Sequence, residues 1–233
     1  MASIDPAGLA ASLRRLEGLG EGELLKSLDL VVTACVELFQ VTGSGLMIAD
    51  EQNVLQYAVA SDGPGHVLEE VQTETGEGPC VDTFVNDEMT TTDDIAGDER
   101  WPASRDTVAS NGVRAVLGVP VRLGGVPVGS LDVYRDRPHR WDATEEAALA
   151  RYATVVASTL QTALEARRAG ELADQLQYAL DNRVVIERAV GFLMARRDTQ
   201  AVTAFNLLRS KARHDRRKIG DIARDVLRHG DLT

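Results

Sequence analysis

The sequence predicts an α+β chain: an antiparallel sheet flanked by helices, a long connecting helix, and a C-terminal bundle of three helices. Three observations lead there. Two strand-like segments, VRAVLGVPVRL and VPVGSLDVYR, meet across Gly124-Gly125, the signature of a tight hairpin. Helical periodicity precedes the strands and takes over entirely after Trp141. The net charge of −11 is also uneven: from Glu165 onward there are 14 Lys and Arg against 10 Asp and Glu, a balance of +4, which leaves −15 on the remainder. An acidic body discourages non-specific contact with polyanions, and a basic tail on it suggests one localised anionic partner.

With 233 residues, 44% hydrophobic and 26% charged, the chain can build one sizeable core and a small appendage. No run approaches the roughly 18 apolar residues of a membrane span, so no membrane partner is expected. The start, MASIDPAGLAASLRRLEG, lacks the basic-then-apolar pattern of a secretion signal, and a cytoplasmic location is expected. Cys35 and Cys80 are too few for a disulfide framework and suit a reducing compartment.

Residues 1–19 read as an N-terminal extension and 20–164 as one mixed domain. Leu24 to Leu38 is an amphipathic helix with Leu25, Leu28, Val31, Val32 and Cys35 in its stripe. Two strands follow, GLMIAD and VLQYAVAS, separated by Glu51-Gln52-Asn53. His66 to Val71 is a helical turn, and TGEGPCVDTFVND a glycine-rich loop running into a short helix. Met89 to Asp93 is a brief strand, Ser104–Ser110 a helix, and the strong hairpin comes next.

Asp142 with Glu145 three residues on is a capping-box pattern that opens a connecting helix over 142–182. Leu149, Tyr152, Val156, Leu160 and Ala163 form a seam near the coiled-coil period. That seam predicts a parallel homodimer, with intramolecular packing of the same stripe as the alternative. Leu172, Leu176 and Leu180 then carry a stripe into the last segment, residues 172–230.

In that segment Val185, Ile186, Ala189, Phe192 and Leu193 share one helix face, and Val184, Arg188, Gly191 and Ala195 line another. A glycine inside a helix costs roughly 1 kcal/mol against alanine. Its presence beside an arginine opens that face to close approach by a helix or a nucleic-acid strand. The second helix follows Asp198-Thr199, either of which can cap it. It buries Ala201, Ala204, Phe205, Leu208 and Ala212 and is expected to turn Asn206, Arg209 and Arg213 to solvent. After the turn from His214 to Lys218, a third helix repeats Ile219, Ile222, Ala223, Val226 and Leu227, and Gly230 ends it.

The runs IERAVGFLMARR, AFNLLRSKAR and RRKIGDIARDVL resemble the ANTAR family, RNA-binding modules of transcription antitermination. The match departs at Val190, where that family usually has a lysine. Upstream, the order of elements, the GEGPC loop and the VLGVPV…GVPVGSLDVY hairpin resemble the GAF family of sensory domains. Together they look like two-domain regulators of actinobacterial type. The resemblance implies RNA as partner, in the form of tandem hairpins in leader transcripts, and a homodimer that matches two hairpins. It also implies a small-molecule ligand in the sensor. Family contacts would fall on Arg188, Gly191, Arg209 and Arg213, and the neighbouring cations Arg216, Arg217 and Lys218 join this RNA-binding set.

Three rival readings stand beside it. Short basic helices also build DNA-binding helix-turn-helix units. The Gly191 face could pack on another protein. Cys80, at a helix N-terminus, could be a reactive thiol in a GAF-fold reductase, or simply part of a sensor loop. Asp93-Asp94 and Asp98-Glu99 lack the spacing of a calcium loop. His66, His139, His214 and His229 stand apart without a second ligand. No metal, no cofactor and no enzymatic activity are expected.

Overall fold

The computed structural model describes residues 4–16, 24–50, 54–165 and 171–232, by backbone alone at 171–177 and 179. Helix α1 (Pro6–Leu16) forms inside the expected extension, and α2 (Leu24–Phe39) buries Leu28, Val31, Val32 and Cys35 of the stripe read from the sequence, while Leu25, in its first turn, is corrected to an exposed position. Strands β1 (Gly43–Ala49) and β2 (Leu55–Ala60) pair antiparallel, while the gap at 51–53 lies outside the described residues. Helix α3 (Gly63–Thr75) is much longer than the single turn expected around His66. Asp62 explains the difference: its Oδ1 accepts from the Gly65 N–H at 2.9 Å, capping a helix that then continues to Gly76.

Helix α4 (Pro79–Asn86), strand β3 (Thr90–Thr92) and helix α5 (Arg105–Ser110) come next. Strands β4 (Ala115–Leu123) and β5 (Val126–Arg135) are joined by Gly124 and Gly125 at φ of 58° and 85°, the left-handed pair that a tight hairpin needs. The result is a five-stranded antiparallel sheet of order β2-β1-β5-β4-β3.

Alternation along the strands separates two cores. Leu46, Ile48, Leu117, Val119, Leu131 and Val133 point to one face, where α2 and α6 (Ala143–Glu165) cover them. The cap of α6 is the expected box. The Asp142 N–H donates to Glu145 Oε2 at 2.9 Å, and the Glu145 N–H to Asp142 Oδ1 at 3.1 Å. The seam takes the intramolecular alternative: Leu149, Tyr152, Val156 and Leu160 are fully buried against the chain's own sheet. The physical reason is the apolar face of β4, which has no other cover. α1 closes this side, where the Tyr152 hydroxyl donates to Ser12 Oγ at 2.5 Å.

Helices α7 (Glu171–Arg197), α8 (Ala201–Asp215) and α9 (Ile219–His229) make the C-terminal bundle. Of the stripe expected to lead into it, Leu180 packs on the main core, while the side chains of Leu172 and Leu176 lie outside the described set. α8 is preceded by Gln200, with no side-chain cap, because Asp198 takes a left-handed φ of 49°. Leu227 is corrected to an exposed position. The bundle core of Ile186, Leu193, Phe205, Leu208, Ile222 and Val226 does not end at the bundle. It continues into Met47, Ala49, Leu55 and Phe84 of the sheet domain. A unit this small is marginal alone, and it gains stability by covering the part of the sheet that α3 and α4 leave open.

Candidate functional site

Between the sheet and helices α3 and α4 polar side chains converge in a buried cluster. Glu69 and Gln72 come from adjacent turns of α3, Cys80 and Thr83 from adjacent turns of α4, and Ser130 and Asp132 from β5; all six are buried. Asp132 sits between two glycines, Gly45 on β1 and Gly118 on β4, its register partners on either side. A Cβ on Gly45 would lie 1.9 Å from Glu69 Oε1 and 3.4 Å from Asp132 Oδ1. A Cβ on Gly118 would lie 2.9 Å from Thr83 Oγ1 and 3.5 Å from Ser130 Oγ. The glycines therefore make room for polar atoms converging on the sheet.

Two contacts organise the cluster. Gln72 Oε1 accepts from the Cys80 N–H at 2.8 Å, and the Cys80 thiol donates to Asp132 Oδ2 at 3.4 Å. Among the described residues, both Glu69 oxygens, Asp132 Oδ1, Gln72 Nε2, Thr83 Oγ1 and Ser130 Oγ have no hydrogen-bond partner. Burial, reinforced by the charge of Asp132, drives Glu69 well above the usual carboxylate range. Burial likewise raises Asp132 to about 7. Burial and then Asp132 push the Cys80 thiol up, so it is the opposite of an activated nucleophile. Cys35 belongs to the core on the other face of the sheet, so the two thiols are not placed to form a disulfide.

The same two helices receive α8. The Asn206 side-chain amide donates to the Gly76 carbonyl at 2.9 Å, and Arg209 Nη2 donates to the Thr73 carbonyl. Gly76 ends α3 with φ of 72°, and a Cβ there would meet Arg209 Nη1 at 2.5 Å and Asn206 Oδ1 at 2.6 Å. Phe205 stacks edge-on against Phe84 of α4, with centroids 6.4 Å apart. Arg183 of α7 lies over the other side of this contact. It is 4.7 Å from the Phe84 ring centroid, with Nη2 donating to the Phe84 carbonyl at 3.2 Å and Nε to Glu187 at 2.7 Å.

The expected RNA-binding residues divide. Arg188 and Gly191 are exposed, together with Val184 and Ala195, and nothing lies within 4 Å of a Cβ on Gly191. Arg213 and Arg216 are also exposed, with no ion pair among the described residues. Arg209 is the correction: it was expected in solvent and is 8% exposed, sealed under the turn between α3 and α4. Burial first, then the nearby charge of Arg213, lowers its pKa, while Asp50 acts the other way. Arg217 is paired with Asp225 at 2.7 Å, and the Lys218 ammonium lies 4.4 Å from the Tyr178 ring centroid. Val190 is buried in the bundle, so it offers no surface contact in place of the lysine.

Sequence reading missed Glu69, Asp132, Arg183 and Asn206 as site residues. Asp132 carried a signal, a carboxylate inside the apolar strand SLDVY; the others depend on which elements meet. Among the described residues, no group of three or more His, Cys, Asp and Glu is arranged to hold a metal, and no helix is long and apolar enough to cross a membrane.

The family model for the GAF domain matches residues 23–160, and that for the ANTAR domain residues 174–227. No curated protein matches the sequence. Among solved structures, the GAF domain of a phosphoenolpyruvate-protein phosphotransferase from Coxiella burnetii is similar at 20% identity and a TM-score of 0.57, over 70% of this chain and 95% of that one. The corresponding domain from Acinetobacter is similar at 19% and 0.56, over 71% and 98%. Free methionine-R-sulfoxide reductase from Neisseria meningitidis is similar at 16% and 0.51, over 69% and 88%. At these identities the likeness is one of fold. The sheet, its two helical faces and the terminal bundle agree with both family models, and the chain belongs to the GAF–ANTAR regulators, joining a GAF sensor domain to an ANTAR RNA-binding antitermination domain.

Proposed function

We propose that this regulator binds hairpin loops of leader transcripts through its C-terminal bundle, promotes antitermination there, and withholds part of its RNA-binding surface by docking α8 on the sensor. The observation that carries the reading is Arg209. A cation matched to the family's RNA contacts is buried against Thr73, while Arg188, Gly191, Arg213 and Arg216 stay open. The open set gives first contact with phosphates and unpaired bases. Arg209 and Asn206 become available only when α8 leaves the turn between α3 and α4.

Only a ligand with different affinity for the docked and released states can shift them. The sheet domain is suited to that, because α3 and α4 both enclose its buried polar cluster and form the docking platform. Two copies of the chain would match tandem hairpins. With the α6 seam buried internally, pairing would use the outer face of α6, where Ala150, Thr154 and Ala157 border the half of β4 beyond β3.

Filter binding tests the reading. A dual-hairpin leader RNA should bind more tightly than one with scrambled loops at matched salt, and equal affinities would count against it. Arg188→Ala and Arg213→Ala should each weaken binding and reduce its salt dependence. Competition by duplex DNA as effective as by the leader RNA would favour the helix-turn-helix reading instead.

A further inference from the structure

We infer that the cleft where the start of α1, the end of α2 and the start of α6 meet binds a free α-amino acid with an apolar side chain, its carboxylate on Arg135 and Arg137 and its ammonium on Asp5 and Asp142. The cleft holds about 450 Å³ and belongs to the α2 and α6 side of the sheet. Asp5, Gln40 and Arg137 at its border are exposed, so a ligand enters without any helix moving.

The donors come first. The Arg135 side chain, at the end of β5, is 12% exposed. Its Nη1 donates to the Gln40 carbonyl at 3.0 Å, and its Nη2 to the Phe39 carbonyl at 3.2 Å and Glu145 Oε1 at 3.3 Å. The Trp141 ring centroid lies 5.6 Å from the guanidinium carbon. These contacts fix the guanidinium, yet its Nε is buried and has no hydrogen-bond partner among the described residues. A buried N–H of a charged group left unpaired is strongly unfavourable, so an acceptor is called for. Arg137, two residues on, has no ion pair among the described residues. Two guanidiniums with N–H groups to spare at one cleft suit a carboxylate.

Carboxylates in the same lining exclude a simple anion. Buried Glu145 is already engaged by Arg135 and by His139 Nε2 at 3.0 Å. Asp5 and Asp142 are used only by the chain's own helix starts. Asp5 accepts from the Ala7 and Gly8 N–H groups at 3.3 and 2.8 Å, and Asp142 Oδ1 from the Thr144 and Glu145 N–H groups at 2.8 and 3.1 Å. Hydrogen bonds from Thr144, then from the Glu145 N–H, hold Asp142 below the usual carboxylate range, so it stays charged. Its Oδ2 has no partner among the described residues and can accept from an ammonium, which brings three N–H donors. With two arginines and three carboxylates around the cleft, a ligand of one sign is repelled by part of the lining. A zwitterion meets an opposite charge at each end. Half-buried Ile4 and Leu38 supply the apolar wall for a side chain. The volume is near the lower end of small-molecule sites, roughly 300–1,000 Å³, which suits a single amino acid rather than a peptide.

Such a ligand ties α1 to β5 and α6. The one printed tie at this corner is the Ile4 N–H, which donates to Thr144 Oγ1 at 3.0 Å. Amides of α1 should therefore exchange more slowly in the bound protein.

Calorimetric titration and thermal unfolding of the full chain with L-phenylalanine test this, with 3-phenylpropanoate and 2-phenylethylamine as controls that each lack one charge. L-phenylalanine should bind saturably in the millimolar range or tighter and raise the Tm, and both controls should bind at least tenfold more weakly. Arg137→Ala, at an exposed position, should leave the Tm of the unliganded chain unchanged and weaken L-phenylalanine at least tenfold. Asp142→Asn should do the same to affinity, since asparagine still caps α6 but carries no charge. Absence of saturable binding, a control that binds as well as L-phenylalanine, or unchanged affinity in both variants overturns the inference. Leader RNA plays no part in these measurements, so the RNA-binding role of the bundle stands or falls separately.

Discussion

Asp132 is held by its surroundings in a form that an exposed aspartate would not adopt near neutrality. Burial raises it from 3.8 to about 7, so folding takes up a proton within that window. Stability of the unliganded protein should then fall as pH rises from about 4 to about 7, by up to about 1.4 kcal/mol per pH unit for one proton. Urea denaturation across the window checks this, and Asp132→Asn should flatten the slope. Glu69, also raised by burial and then by the charge of Asp132, contributes a decline of the same sign. Arg209 makes a second residue-scale case. In the full chain, Arg209→Ala should cost less leader-RNA affinity than Arg213→Ala, because it also removes the contact to Thr73 that holds α8 in place. A loss as large as that of Arg213→Ala would place Arg209 on the RNA in the resting state.

At the scale of elements, the turn from α3 through Gly76 into α4 does two jobs, joining the helices that enclose the buried polar cluster and receiving α8. Gly76→Ala forces a side chain into a left-handed backbone, at about 1–2 kcal/mol. It also drives a methyl into Arg209 and Asn206. Chemical denaturation should register the loss, and leader-RNA affinity should rise as docking weakens. Phe84→Leu removes the edge-to-face contact with Phe205, about 0.5–1.5 kcal/mol beyond area, so RNA affinity should rise by about two- to tenfold. A fall would mean that docking presents the RNA surface rather than hiding it. Several elements were legible because their causes are local. The Gly124-Gly125 hairpin and the Asp142–Glu145 box each act within a few residues. α3 was underestimated because its cap, Asp62, precedes a stretch containing glycines and proline that reads as a loop.

At the scale of the molecule, one continuous core joins sensor and output. Releasing α8 and its neighbours would expose Met47, Ala49, Leu55 and Phe84. Each such side chain contributes about 1.5–3 kcal/mol when fully buried. In the proposed mechanism the docked arrangement is the resting one, and ligand or RNA must supply the difference. Hydrogen exchange of the backbone from Thr73 to Phe84 should quicken when leader RNA is added, and unchanged protection would argue for binding without release.

The sequence by itself determined the two families, the strands, the three terminal helices and the cations they carry, since these follow from periodicity, turn chemistry and short motifs. Tertiary structure alone decided which cations are open, that Glu69 of α3 faces Asp132 of β5, and that the α6 seam closes on its own sheet. Residues far apart in the chain acquire burial and charge partners only when their elements meet, and no local pattern encodes that meeting.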